Sequence, residues 1–233
     1  MIPQKDWRRD TLSAMTGPRT YGDRCGIARA LDSVGERWAL LIVRELLLGP
    51  KRFTDLRDGL PNSSPNVLSQ LLRELEQAGI VRRRKLPPPA GSWVYELTDW
   101  GDQLKPIVIS LGSWALHSPS FPRDAPVGSD SVILALSTFF DAGAARDLSA
   151  RYELRLDEHT FQVRVADQTI EVERGAADDP DAIIETDHLT FSALIWDGLD
   201  PADALRAGDI AIEGDRGAVK RFLELFPRPQ PVA

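Results

Sequence analysis

Asn66, Ser69, Gln70, Arg73 and Gln77 recur at helical spacing through SPNVLSQLLRELEQAG. On a wheel of about 100° per residue they share one side, a stripe roughly 100° wide. Leu68, Leu71, Leu72, Leu75 and Ala78 take the other side, and Glu74 and Glu76 flank the stripe. Asn and Gln amides pair bidentately with adenine, and Arg pairs with guanine, so the stripe carries groups suited to reading base edges. An ordinary amphipathic helix with a wet face would look the same in isolation. Just downstream, Arg82, Arg83, Arg84 and Lys85 run consecutively. In an extended strand such residues alternate faces, so at least two must point outward in either register.

The surrounding elements favour the first reading. Ser64 is a good helix N-cap, and Pro65 occupies the first helical position. A short helix over FTDLRDGL precedes it, stopped by Pro61, so helix, tight turn and longer helix make a helix-turn-helix. IVRRRKL and SWVYEL, joined by PPPAG, predict a β-hairpin able to brace phosphates or a minor groove. Upstream, CGIARALDSVG and ERWALLIVRELLLG read as helices, the second stopped at Gly49-Pro50. Thr98 or Asp99 caps a last helix with an apolar stripe from Leu104 to Trp114, which Pro106 should kink or delay. Asn66, Ser69, Gln70 and Arg73, with Ser64 at the helix start, are the expected base readers. Lys51, Arg52, Arg82, Arg83, Arg84 and Lys85 are the expected phosphate contacts.

Charge is divided unevenly. Residues 1–117 carry a net +4 and residues 118–233 a net -11, within a whole of -7. A basic half suits a polyanion, and the acidic half would be repelled by the same partner. The length of 233 residues suits two domains. WALLIV, the best membrane candidate, is cut short by Arg44 and Glu45, and the opening MIPQKDWRRD lacks the apolar block of a secretory signal, so a cytoplasmic protein without a membrane partner is expected. A single cysteine, Cys25, excludes an intrachain disulfide, and the scattered His117, His159 and His188 leave no metal site or cofactor to expect.

The run from Cys25 to Arg84, with YELTDWG after it, closely resembles the HxlR-type winged-helix regulators over residues 25–117. The strongest pieces are RWALLIVREL, GPKRFTDL and SPNVLSQLLRELEQAGIV. The resemblance implies a bacterial transcription factor, repression being the expected sense, that binds a palindromic operator in double-stranded DNA as a homodimer. It places the recognition helix on Pro65–Ala78 and the wing on Val81–Leu97. It also implies that the first and last helices of the domain form the dimer contact. That suits the stripe from Leu104 to Trp114, although packing against its own domain would explain that stripe equally well. Some members sense oxidants through the cysteine that Cys25 matches, which makes Cys25 a redox candidate. A buried structural role is the alternative for that residue.

Residues 1–24 read as an arm, 118–129 as a Pro/Ser/Gly-rich linker, and 228–233 as a tail. Between the last two, SVILALSTFFDAGAARDL is helical in pattern, and RYELRLD, TFQVRVAD and TIEVERG alternate as strands. DAIIETD, TFSALIWDG, DPADALRAG, DIAIEGD and RGAVKRFLELF add strand, two helices, strand and helix. Residues 130–227 resemble the sterol carrier protein-like fold, carried by FSALIWDGLDPADALRAGDIAIEGDRGAVKRFLELF. The expected fold class is therefore a mainly α winged helix-turn-helix followed by an α+β domain. The resemblance implies an apolar cavity, for which Phe139, Phe161, Phe191, Ile195, Trp196, Phe222 and Phe226 are candidate linings for an apolar small-molecule effector. Packing of a plain core accounts for the same residues. No catalytic constellation appears in this half, so an effector or assembly domain is expected rather than an enzyme. A carrier of lipids or other apolar molecules is the rival reading for the whole chain.

Overall fold

A computed structural model of the chain describes residues 20–118, 125 and 127–227. Most of the arm, part of the linker and the tail lie outside the described residues.

The first half begins with α1 (Gly26–Val34), α2 (Ala39–Leu46), α3 (Phe53–Gly59) and α4 (Pro65–Gln77). Burial of Leu68, Leu71, Leu72 and Leu75 drives α4 onto α2 and the hairpin. Each such side chain contributes roughly 1.5–3 kcal/mol when taken out of water. Ser64 Oγ accepts from the Val67 amide at 3.3 Å at one end of α4. At the other end Gly79 turns left-handed (φ 75°), and the amides of Gly79 and Ile80 close onto the carbonyls of Glu76 and Leu75. That pair of bonds ends the helix sharply and delivers Ile80 into the core. The chain enters β1 (Val81–Lys85) and returns as β2 (Trp93–Leu97). Lys51 adds a one-residue third strand, exchanging both backbone hydrogen bonds with Tyr95 at 2.9 and 2.7 Å.

The expected last helix is two helices. Thr98 caps α5 (Asp99–Asp102), and α6 (Lys105–Leu116) starts afresh with Pro106 in its first turn. Pro106 has no amide to give and stands where none is needed.

In the second half, α7 (Ser129–Phe139) precedes β3 (Ala150–Leu156), β4 (His159–Ala166) and β5 (Thr169–Arg174). Then come β6 (Ala182–Thr186), α8 (His188–Ser192), a π-helical turn (Ala193–Asp197), α9 (Pro201–Ala207), β7 (Ala211–Gly214) and α10 (Arg216–Leu223). The strands order β5-β4-β3-β6-β7, antiparallel except for the parallel β3–β6 pair. Tyr152, Leu154, Phe161, Val163 and Val172 face the helices. The opposite face carries charge pairs such as Arg155–Glu153 and Arg164–Glu171.

One expectation fails here. The helical pattern of SVILALSTFFDAGAARDL stops at Phe139, and residues 142–147 form turns. Asp141 Oδ1 accepts from the amides of Gly143 and Ala144, a local bond that competes with continuing the helix.

The two halves are not strung loosely. One apolar core runs from Val34 through Phe226, and α7 packs against α6 and α2. α6 and α7 come close at Gly112, whose hypothetical Cβ would lie 3.8 Å from Thr138 Oγ1.

Gly101 is the tightest spot in the first half, because a Cβ there would fall 2.1 Å from the Ile80 carbonyl oxygen. Gly101→Ala should therefore destabilise the protein by about 1–3 kcal/mol. Urea unfolding should show a lower midpoint with an unchanged slope; an unchanged midpoint would refute this packing.

Candidate nucleic-acid interface

With its leucines buried, α4 turns Asn66, Gln70, Arg73 and Gln77 to solvent and leaves Ser69 half-buried. Gln70 Nε2 donates to Glu74 Oε1 at 2.8 Å, which pre-orients its amide along the helix. Arg73 is exposed and makes no ion pair among the described residues. Ser64 lies exposed at the start of the same stripe, its hydroxyl engaged by the helix cap.

The hairpin sorts its cations by face. Strand register sets Arg82 opposite Glu96, Arg83 opposite Tyr95, Arg84 opposite Val94 and Lys85 opposite Trp93. Arg82 Nε and Arg84 Nε each hold one Glu96 carboxylate oxygen, at 2.7 and 2.6 Å. Burial pushes the Glu96 carboxyl up, but the hydrogen bonds and charges of Arg84 and Arg82 outweigh it and hold its pKa below the usual carboxylate value. The opposite face differs. There the Arg83 guanidinium lies 4.6 Å over the Trp93 ring and 5.8 Å from Tyr95. A flat cation stacked in this way keeps its N–H edge directed outward. Lys85 is exposed beside it. All four basic residues are exposed, yet Arg83 and Lys85 are the two without a carboxylate partner among the described residues.

Lys51 requires correction. Its Nζ lies 2.5 Å from Glu45 Oε2 and 2.5 Å from Asp130 Oδ2, with the side chain only 11% exposed. That ammonium is committed to the protein and does not face a phosphate. Arg52 is exposed at the N-cap of α3, its amide donating to Asp55 Oδ2 at 3.0 Å.

Cys25 is exposed at the N-cap of α1. The amides of Ala28 and Ile27 hold its thiol pKa below the ordinary value, because they stabilise the thiolate.

The candidate effector residues mostly fill the core. Phe161, Phe191 and Phe222 are fully buried, and Ile195 and Phe226 nearly so. Phe222 packs 5.0 Å from Phe226 and 6.4 Å from Phe191, while half-buried Phe139 and Trp196 pair at 5.0 Å. Two surface clefts of about 480 Å³ lie elsewhere: one between Gly143, Arg146 and Arg221, the other beside Arg82, Glu96 and Asp102.

Sequence reasoning missed Glu96 and Trp93 as organisers of the wing, although their hairpin register signals both. It also missed Asp130, for which no local signal exists.

Residues 33–119 match the HxlR-like helix-turn-helix family. Residues 130–232 match the alkyl sulfatase C-terminal family, and this description replaces the sterol carrier protein-like expectation. The HTH-type transcriptional regulator YvaP of Bacillus subtilis is 42% identical over 95 residues, covering 40% of this chain and 88% of YvaP. YodB of the same organism, also an HTH-type transcriptional regulator, is 37% identical over 86 residues, covering 37% of this chain and 77% of YodB. Among solved structures, the oxidized form of the redox regulator HypR shares 31% identity over 41% of this chain and 99% of that one, with a TM-score of 0.39. The reduced form of YodB shares 33% identity over 42% of this chain and 97% of that one, with a TM-score of 0.38. In its first half a winged helix-turn-helix, this chain belongs to the HxlR-like helix-turn-helix family of transcriptional regulators.

Proposed function

We propose that this regulator binds a palindromic operator as a homodimer, with α4 in the major groove and the hairpin against the backbone. The observation that carries the reading is the wet stripe of α4, backed by buried leucines and followed by an exposed cationic hairpin. Asn66, Ser69, Gln70 and Arg73 read bases; Arg83, Lys85 and Arg52 contact phosphates. The amide and hydroxyl at Ser64 sit where a helix N-terminus meets a phosphate. Arg82 and Arg84 contribute less, since Glu96 already balances part of their charge.

The dimer is supported by apolar surface left in water. Ile107, Leu111 and Trp114 share one side of α6, and Trp114 is 76% exposed. Ile27 and Leu31 on α1 are exposed as well. A two-fold contact over such faces would set recognition helices on half-sites about 34–36 Å apart, or a multiple of that. The acidic second half, repelled by phosphate, keeps the basic half inward. Its stacked, buried phenylalanines support a domain that acts through its packing, because an apolar effector would have to displace rings to enter.

A second reading, redox control, is favoured by the exposed, acidified thiol of Cys25. With no second cysteine, oxidation would cross-link two copies or cap the thiol. Diamide should then weaken DNA binding by the wild type and leave Cys25→Ser unaffected; equal responses would eliminate the thiol mechanism.

Three substitutions test the interface on duplex DNA selected from a random library. Arg73→Ala should cost about 1–3 kcal/mol and relax preference at one position. Arg83→Ala should weaken all sequences alike and reduce the salt slope by about 1. A swap of these two patterns would show the roles reversed. Glu96→Gln should strengthen binding to any sequence and steepen the salt slope by about 1, because it removes the charge that balances Arg82 and Arg84. An unchanged slope would mean that face of the hairpin does not approach DNA.

A further inference from the structure

A line of alternating charge crosses from the first half of the chain to the second. Arg44 Nη2 meets Glu45 Oε1 at 2.6 Å, and Lys51 Nζ lies 2.5 Å from Glu45 and 2.5 Å from Asp130. Arg174 then bonds the other oxygen of Asp130. Glu45 and Asp130 are 3% and 6% exposed, so the two carboxylates depend on these cations rather than on water.

The line is anchored to something rigid at its Arg174 end and at its middle, Lys51. Arg174 ends β5 and lies 4.9 Å over the ring of Phe161, which is wholly buried in the second domain. Lys51 is paired through both backbone groups to Tyr95 of the wing strand β2, and Tyr95 neighbours the Arg83 guanidinium. The side chain of Lys51 thus answers to the second domain while its backbone holds the wing. Asp130, in the first turn of α7, is the hinge of that connection.

We infer that Asp130 and Arg174 are positioning residues for the wing, through which the second domain sets how well Arg83 and Lys85 meet the DNA backbone. This rests on the DNA-binding reading above and adds a function for the second domain that needs no occupied cavity. Loss of the Asp130 charge would leave Arg174 without this carboxylate and Lys51 sharing Glu45 with Arg44. The Lys51 segment would loosen from β2, and the wing with it.

The test uses the full chain and a duplex selected from a random library by the wild-type protein. Asp130→Asn should lower affinity about three- to tenfold. Against an Arg83→Ala/Lys85→Ala background the same substitution should have no further effect, whereas against Arg73→Ala it should add in full. Independently of DNA, the amides of Lys51 and Tyr95 should exchange faster in Asp130→Asn while those of α4 keep their protection. Unchanged exchange at those two amides overturns the inference, as does an equal affinity loss in the wing-stripped background. If Asp130→Asn does not fold, Arg174→Gln keeps the Lys51–Asp130 pair and should show the same pattern with a smaller amplitude; its absence there is equally decisive. Wild-type affinity in both Arg73→Ala and the wing-stripped variant would sink the interface reading itself, leaving exchange at Lys51 and Tyr95 to decide whether the second domain holds the strand.

Discussion

Four leucines that must leave water decide which side of one helix keeps it. Leu68, Leu71, Leu72 and Leu75 lock α4 against α2 and the hairpin, and no rotation of α4 could expose a different stripe without exposing them. The direction of Asn66, Gln70 and Arg73 is therefore a by-product of burial, not of anything those polar residues do for themselves. The sharp turn at Gly79 carries the same constraint onward, since it fixes where β1 starts and so where the wing stands relative to the helix.

The second domain extends this frame rather than hanging from it. α7 shares the core of both halves, and the buried charges around Asp130 fix its first turn against Lys51. Apolar contact supplies the adhesion, and the ion line supplies the register, since a shifted α7 would strand a carboxylate without its cation. The outer face of the five-stranded sheet carries Arg–Glu pairs, exposed at Arg164–Glu171 and covered at Glu153.

Much of this was legible in the residues. Helix α4, the hairpin, the late start of the helix that holds Pro106 and all five strands of the second sheet follow from periodicity, caps and turn residues, because each is decided within about ten neighbours. What was not legible depends on distant pairing. Lys51 looked like a phosphate contact since nothing near it in sequence neutralises it fully; Asp130 arrives only through the fold. Arg82 and Arg84 looked as available as Arg83 until the hairpin register set Glu96 between them. The phenylalanines read as a cavity lining under the sterol carrier protein-like resemblance, but they stack on one another, and the family matched there is a different one. Residues 141–147 misled for a local reason, an aspartate whose side chain caps a turn more readily than it continues a helix.

α6 is used on two sides at once. At Gly112 it admits α7 to near-contact, and on the other side it shows Ile107, Leu111 and Trp114 to solvent. A sister molecule seated on that indole-bearing side would leave each acidic domain on the outer flank of the helix pair, away from the symmetry axis. A single rod would then touch two neighbours, and a roll or tilt imposed by one would reach the other through the close approach at Gly112.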